Sequence, residues 1–148
     1  MSNVATSRRE VRSLIFHLLY AMESFDYTVP LTEIIYLFNR EFETDIPEKG
    51  EVEMTVQEIV NKRDSLDEKI IPLLANWRLD RLGCSTRLIL RLAIWEMEYT
   101  DTASTIVINE AIELSKGFSE KDAYKFVNGI LDEAAKQRVA LNAESEAE

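Results

Sequence analysis

One cysteine, one histidine, three prolines and four glycines are all that 148 residues contain of the types most used for staples, metal ligands and sharp turns. Cys84 alone can form no internal disulfide and falls short of even half a zinc site, so a buried or idle thiol is expected. Gly50, Gly83, Gly117 and Gly129 stand singly, which excludes a glycine-rich loop that cradles phosphates. His17 has no motif-fixed neighbour, and a general base needs one. Carboxylate pairs such as Glu110/Glu113 and Glu96/Glu98 read as solvated helix faces. Neither a catalytic centre nor a cofactor is therefore expected. No apolar run approaches the roughly 18 residues of a membrane span, and "MSNVATSRREVRS" opens polar rather than as a secretory core. The expected location is the cytoplasm, with no membrane partner. Positive charge is also scarce: 17 Lys and Arg face 27 Asp and Glu, a net charge of −10. Non-specific affinity for polyphosphate comes from excess cation, so any nucleic-acid reading must rest on a local patch.

What is present is a balance of 46% apolar and 30% charged residues, that of a globular domain. Ser7-Arg8-Arg9-Glu10 matches a capping box and should open a helix. Val11, Leu14, Ile15, Leu18, Leu19 and Met22 follow at helical spacing. Leu31 to Phe42 resumes the pattern with Ile34, Ile35, Leu37 and Phe38, and "ETDIPEKGE" is a loop. Val52, Val56, Ile59 and Val60 give a third helix, and Leu66, Ile70, Ile71 and Leu74 another that Pro72 bends or closes. Ser85 is expected to cap "TRLILRLAIWEMEY". Ile106 to Lys116 is helical, Gly117 sits where a left-handed cap belongs, and Ser119 opens the last helix. No alternating strand pattern competes. The expected fold is all-α, with about six or seven short helices, an N-terminal half of about 5–76, a C-terminal half of about 77–139 and a frayed acidic tail at 140–148.

Two helices carry more than core. At 100° per residue, Arg9, Arg12, Phe16 and Tyr20 gather on a flank of the first, with Arg8 at its edge. Arginines beside exposed aromatic rings suit single-stranded RNA, since guanidinium groups pair with phosphates and rings stack on unpaired bases. The alternative for this helix is that Phe16 and Tyr20 are ordinary core or boundary residues and the arginines only solubilise a helix end. In "KDAYKFVNGILDEAAKQ", helical spacing of Ala123, Phe126, Val127, Ile130, Leu131 and Ala134 competes with Asn128-Gly129, a strong hairpin signal. Glycine inside a helix costs about 1 kcal/mol relative to alanine. If the helix prevails, Gly129 lies beside Asp122 and Lys125, with Lys121 and Asn128 further round, where it admits a close neighbour: a packed helix or a ligand.

"RLILRLAIWEMEY" and "VINEAIELSKGFSEKDAYKFVNGILDEAA" closely resemble the C-terminal part of the NusB family of bacterial transcription antitermination factors, and "RREVRSLIFHLLYAM" resembles that family's arginine-rich first helix. The similarity is weakest from Thr28 to Glu53. It implies an all-helical fold of two subdomains that binds the boxA element of ribosomal-RNA operon leaders together with NusE, a small-subunit ribosomal protein, so that RNA polymerase and the other Nus factors read through terminators. No reaction is implied. Carried over, the RNA surface would use Arg8, Arg9, Arg12 and Tyr20 from the first helix, Lys121, Asp122, Lys125, Phe126 and Asn128 from the last, and Phe118 in the loop before it. Asp122 would be a repulsive charge there. Acidic residues at Asp80 and from Glu96 through Glu98 to Asp101 are candidates for a face that meets basic NusE.

Glu10 stands where relatives often carry a further basic residue, and "TASTI" replaces a Pro-Tyr-Lys-like entry. Fewer phosphate contacts imply a shallower salt dependence and more reliance on NusE. Three alternatives stay in view. A helical protein-interaction module would lack RNA function, a homodimer could bury the first helix through Phe16 and Tyr20, and a related domain fronts some ribosomal-RNA methyltransferases. The last would need a glycine-rich cofactor region, and none follows in this sequence.

Overall fold

A computed structural model describes residues 7–147. Among them the chain forms seven α-helices and two 3-10 turns, and no strand. The described residues divide into two compact units between Lys62 and Arg63.

The first unit holds α1 (Arg8–Ser24), α2 (Leu31–Glu41) and α3 (Glu51–Asn61). Ser7 caps α1 as expected: its Oγ accepts from the backbone N–H of Glu10 at 3.1 Å, satisfying one of the amides that a helix start leaves unpaired. Pro30 precedes α2 in extended conformation. Ile15, Leu18, Leu19 and Met22 of α1 are buried, as are Leu31, Ile34 and Ile35 of α2 and Val52, Val56, Ile59 and Val60 of α3. Leu37, expected in that core, is exposed. The polar loop before α3 is tied down by Asn39, whose Oδ1 accepts from the Ile46 amide at 2.9 Å and from Thr44 Oγ1 at 2.9 Å. Its Nδ2 donates to the Ile46 carbonyl at 3.2 Å.

The second unit holds α4 (Arg63–Ile70), α5 (Cys84–Tyr99), α6 (Ser104–Phe118) and α7 (Ala123–Ala147), with 3-10 turns at Ile71–Leu73 and Leu79–Arg81. Pro72 closes α4, because it lies in the turn that replaces the helix. Every residue of α5 from Leu88 to Met97 is buried, so this helix is the axis on which α4, α6 and α7 pack. Val107, Ile108, Ala111 and Leu114 of α6, with Val127, Ile130, Leu131 and Ala134 of α7, complete the core.

Four local expectations need correction. Gly83, not Ser85, is the N-cap of α5, and no side chain caps it. Gly117 stays helical: no glycine has positive φ, and Ser119 in extended conformation terminates α6. The left-handed residue at this corner is instead Asp122, with φ of 68°, just before α7 begins at Ala123 rather than after Ser119. Finally, the acidic end does not leave the helix, since α7 continues to Ala147 through a stretch where the good helix formers Ala, Leu and Glu outnumber Asn142 and Ser145.

Candidate nucleic-acid interface

Each unit contributes an exposed polar and aromatic surface. In the first, the cap at Ser7 sets the direction of Arg8 and Arg9, both exposed. The Arg8 guanidinium pairs with Glu51 Oε1 at 2.5 Å, joining the first turns of α1 and α3. Tyr20 is 43% exposed, three turns on. Arg12 and Phe16 are only 6% and 2% exposed, so Arg12 departs from the RNA-surface reading and Phe16 takes the core alternative. A helical wheel assigns them to a flank, but α1 packs against both α2 and α3, and two neighbours bury a wider arc than one. Arg12 is therefore not an available phosphate ligand in this structure, and Phe16 is not an exposed ring for stacking or for a dimer contact. Phe16 instead meets His17 edge-on, with centroids 5.4 Å apart, and lies 6.2 Å from Tyr20. His17 Nδ1 is 2.7 Å from the Ser13 carbonyl, a within-helix contact.

In the second unit, the α6–α7 corner collects the remaining candidates. Phe118 is the last residue of α6 rather than part of the loop, and is exposed. Lys121, Asp122, Lys125 and Asn128 are exposed, and Phe126 is half-buried. Lys125 Nζ lies 3.8 Å from Asp122 Oδ1, an exposed pair that contributes little to stability. Asn128 and Gly129 are helical, so the hairpin signal is overruled. Gly129 is exposed, and a β-carbon added there would meet no described atom within 4 Å. A packed helix therefore does not explain this glycine.

Sequence reasoning missed three aromatic and basic residues here. Tyr124 has Lys116 Nζ at 5.0 Å and Lys125 Nζ at 5.9 Å from its ring centroid, within cation–π range. Trp77 is 61% exposed and meets Phe126 edge-on at 5.8 Å. A tryptophan inside the polar connection "ANWRLDRL" was the available signal.

The acidic candidates separate. Asp80 is exposed and accepts from Arg78 at 2.7 Å, and Asp101 is exposed between α5 and α6. Glu98 is held by Lys69 at 3.0 Å and Arg138 at 3.3 Å. Glu96 is only 6% exposed, because α5 is enclosed along this stretch, and it cannot belong to an exposed partner face. Among the described residues no group of three or more His, Cys, Asp or Glu could hold a metal ion, and no helix is long and apolar enough to cross a membrane.

Comparison with known proteins decides the family. Residues 9–136 match the model of the NusB family. The chain belongs to the NusB family. A relative from Staphylococcus aureus named transcription antitermination protein NusB is 36% identical over 130 residues, covering 88% of this chain and 99% of the relative. A protein of the same name from Macrococcus caseolyticus is 43% identical over 83 residues, or 56% of this chain and 64% of the relative. Among solved structures, T. maritima NusB superposes with a TM-score of 0.77 at 32% identity, covering 92% of this chain and 93% of that one. A chain in the crystal structure of a plectonemic RNA supercoil superposes with a TM-score of 0.76 at 25% identity, covering 89% of this chain and 96% of that one.

Proposed function

We propose that this NusB-family protein is a transcription antitermination factor that binds boxA-type single-stranded leader RNA of ribosomal-RNA operons together with NusE. It then acts in the RNA polymerase antitermination complex with the other Nus factors and catalyses no reaction. The observation that carries this reading is the 36% identity, along 88% of the chain, to a protein named for antitermination. The exposed groups support it. Arg8, Arg9 and Tyr20 in one unit, and Phe118, Lys121, Lys125 and Asn128 in the other, with the half-buried Phe126 beside them, supply phosphate partners, stacking rings and an amide that can read a base edge. Arg12 is left out because it is buried. The net charge of −10 fits a division in which lysines and arginines take RNA while Asp80, Glu98 and Asp101 steer a basic ribosomal protein.

Fluorescence anisotropy of labelled boxA RNA, with and without NusE, tests this directly. NusE should tighten binding to boxA relative to a scrambled RNA, and Arg8→Ala/Arg9→Ala should remove most of that gain. Absence of selective binding, even with NusE present, would reduce the protein to a helical interaction module.

A further inference from the structure

Within the second unit, Trp77, Arg81, Gly83, Thr86, Glu120 and Phe126 line an open cleft of about 210 Å³. It is smaller than the roughly 300 Å³ at which pockets for drug-sized ligands begin, a size suited to a single planar heterocycle. Two walls are aromatic: Trp77 and Phe126 meet edge-on, so one ring can present its face to a third planar group. The other walls carry opposite charges that are not spent on each other. Arg81 and Glu120 are both exposed, and neither side chain has an ion-pair or hydrogen-bond partner among the described residues. Gly83 leaves the room that the Glu120 carboxylate occupies. A β-carbon there would collide with the Glu120 carboxylate, so any larger residue would force Glu120 to move. The Thr86 hydroxyl lies 3.4 Å from Ser119 Oγ, tying the start of α5 to the segment that precedes Glu120.

From these groups we infer that the cleft is a base pocket for an unpaired guanine in RNA. A guanidinium fork offers two donors, and a carboxylate offers two acceptors. Guanine alone among the four RNA bases carries both complements, with acceptors N7 and O6 on one edge and donors N1–H and N2–H on another. Adenine and cytosine can give a carboxylate only an amino group, and uracil only one N–H. Stacking on Trp77 or Phe126 would bind any base, while Glu120 and Arg81 make the choice. The pocket adjoins the exposed Lys125 and Asn128 through Phe126 on the same helix, so a strand along α7 can place one base in it.

This inference rests on the RNA-binding reading, and its test separates the two. Emission of Trp77 reports occupancy, because Trp95 is buried and Trp77→Phe supplies the control. Uridine pentamers with a central guanosine, adenosine, inosine or 7-deazaguanosine are titrated into wild type and Glu120→Gln, and boxA RNA is measured alongside. Wild type should bind the guanosine pentamer about tenfold or more tightly than the adenosine one. Inosine, which lacks the N2 amino group, should lose part of the preference. Glu120→Gln, at an exposed and unpaired position, should bind guanosine and inosine alike. Selectivity of this kind without boxA binding would support the pocket and defeat the boxA reading. Equal binding of all pentamers, or binding of boxA with no pentamer entering the cleft, overturns the pocket alone. Failure of every RNA to bind overturns both.

Discussion

Arg91 of α5 grips Asp67 of α4 with both sides of its guanidinium: Nε donates to Oδ1 at 2.7 Å and a terminal nitrogen to Oδ2 at 2.8 Å. Their side chains are only 8% and 17% exposed. Removing one partner of such a pair strands a charge in a poorly solvated place, which typically costs about 3–5 kcal/mol. Asp67→Ala should therefore lower the unfolding free energy by about that amount in urea titrations followed by circular dichroism. The double variant Asp67→Leu/Arg91→Met, which leaves no orphan charge, should lose much less. Equal losses in the two variants would mean that the pair contributes through its own attraction rather than through the cost of breaking it.

At the start of α1, the Ser7 hydroxyl accepts from the backbone N–H of Glu10. Ser7→Ala should cost about 1 kcal/mol, and Ser7→Asp should retain most of it. Because this turn carries Arg8 and Arg9, fraying it should also weaken RNA binding modestly in Ser7→Ala and not in Ser7→Asp. An unchanged urea midpoint in the alanine variant would show that the amide of Glu10 finds another acceptor.

Helix positions were legible because the periodic stripes are long, and the cap at Ser7 is a local signal that tertiary packing does not disturb. What was not legible has one common cause: burial depends on how many neighbours a helix has, and sequence spacing reports only one face. A helical wheel puts Arg12 and Phe16 on a flank and Glu96 on the surface, because it cannot show that α1 meets two helices or that α5 is enclosed. Trp77, Arg81 and Glu120 were missed for a different reason. They come from a connection and a corner distant in sequence, and only folding of the second unit brings them to one cleft.

Gly129 gives a test in which stability and binding should move in opposite directions. It is helical and exposed, and nothing described lies within 4 Å of where a β-carbon would be. Gly129→Ala should stabilise the protein by about 0.5–1 kcal/mol, the usual difference in an exposed helix interior. If the bare backbone is retained so that RNA can approach, the same methyl group should weaken boxA binding. Higher stability with unchanged affinity would separate this glycine from RNA recognition.

Asp122 is, with Glu120, one of two exposed anions at the α6–α7 corner, the one beside Lys125, and its backbone restricts what can replace it. A φ of 68° is left-handed, a conformation that asparagine and aspartate tolerate better than other non-glycine residues. Asp122→Asn therefore removes the charge without straining the turn that starts α7. It also frees Lys125, now 3.8 Å from the carboxylate. A unit charge about 4 Å from a phosphate in water is worth about 1 kcal/mol, or roughly fivefold in affinity. Asp122→Asn should thus tighten boxA binding by about that factor at low salt, and the advantage should shrink as salt is raised. The loss of one exposed ion pair should cost at most a few tenths of a kcal/mol in stability. Unchanged or weaker binding in Asp122→Asn would mean that RNA does not pass within a few ångströms of this corner, and would move the lysine contacts elsewhere on α7.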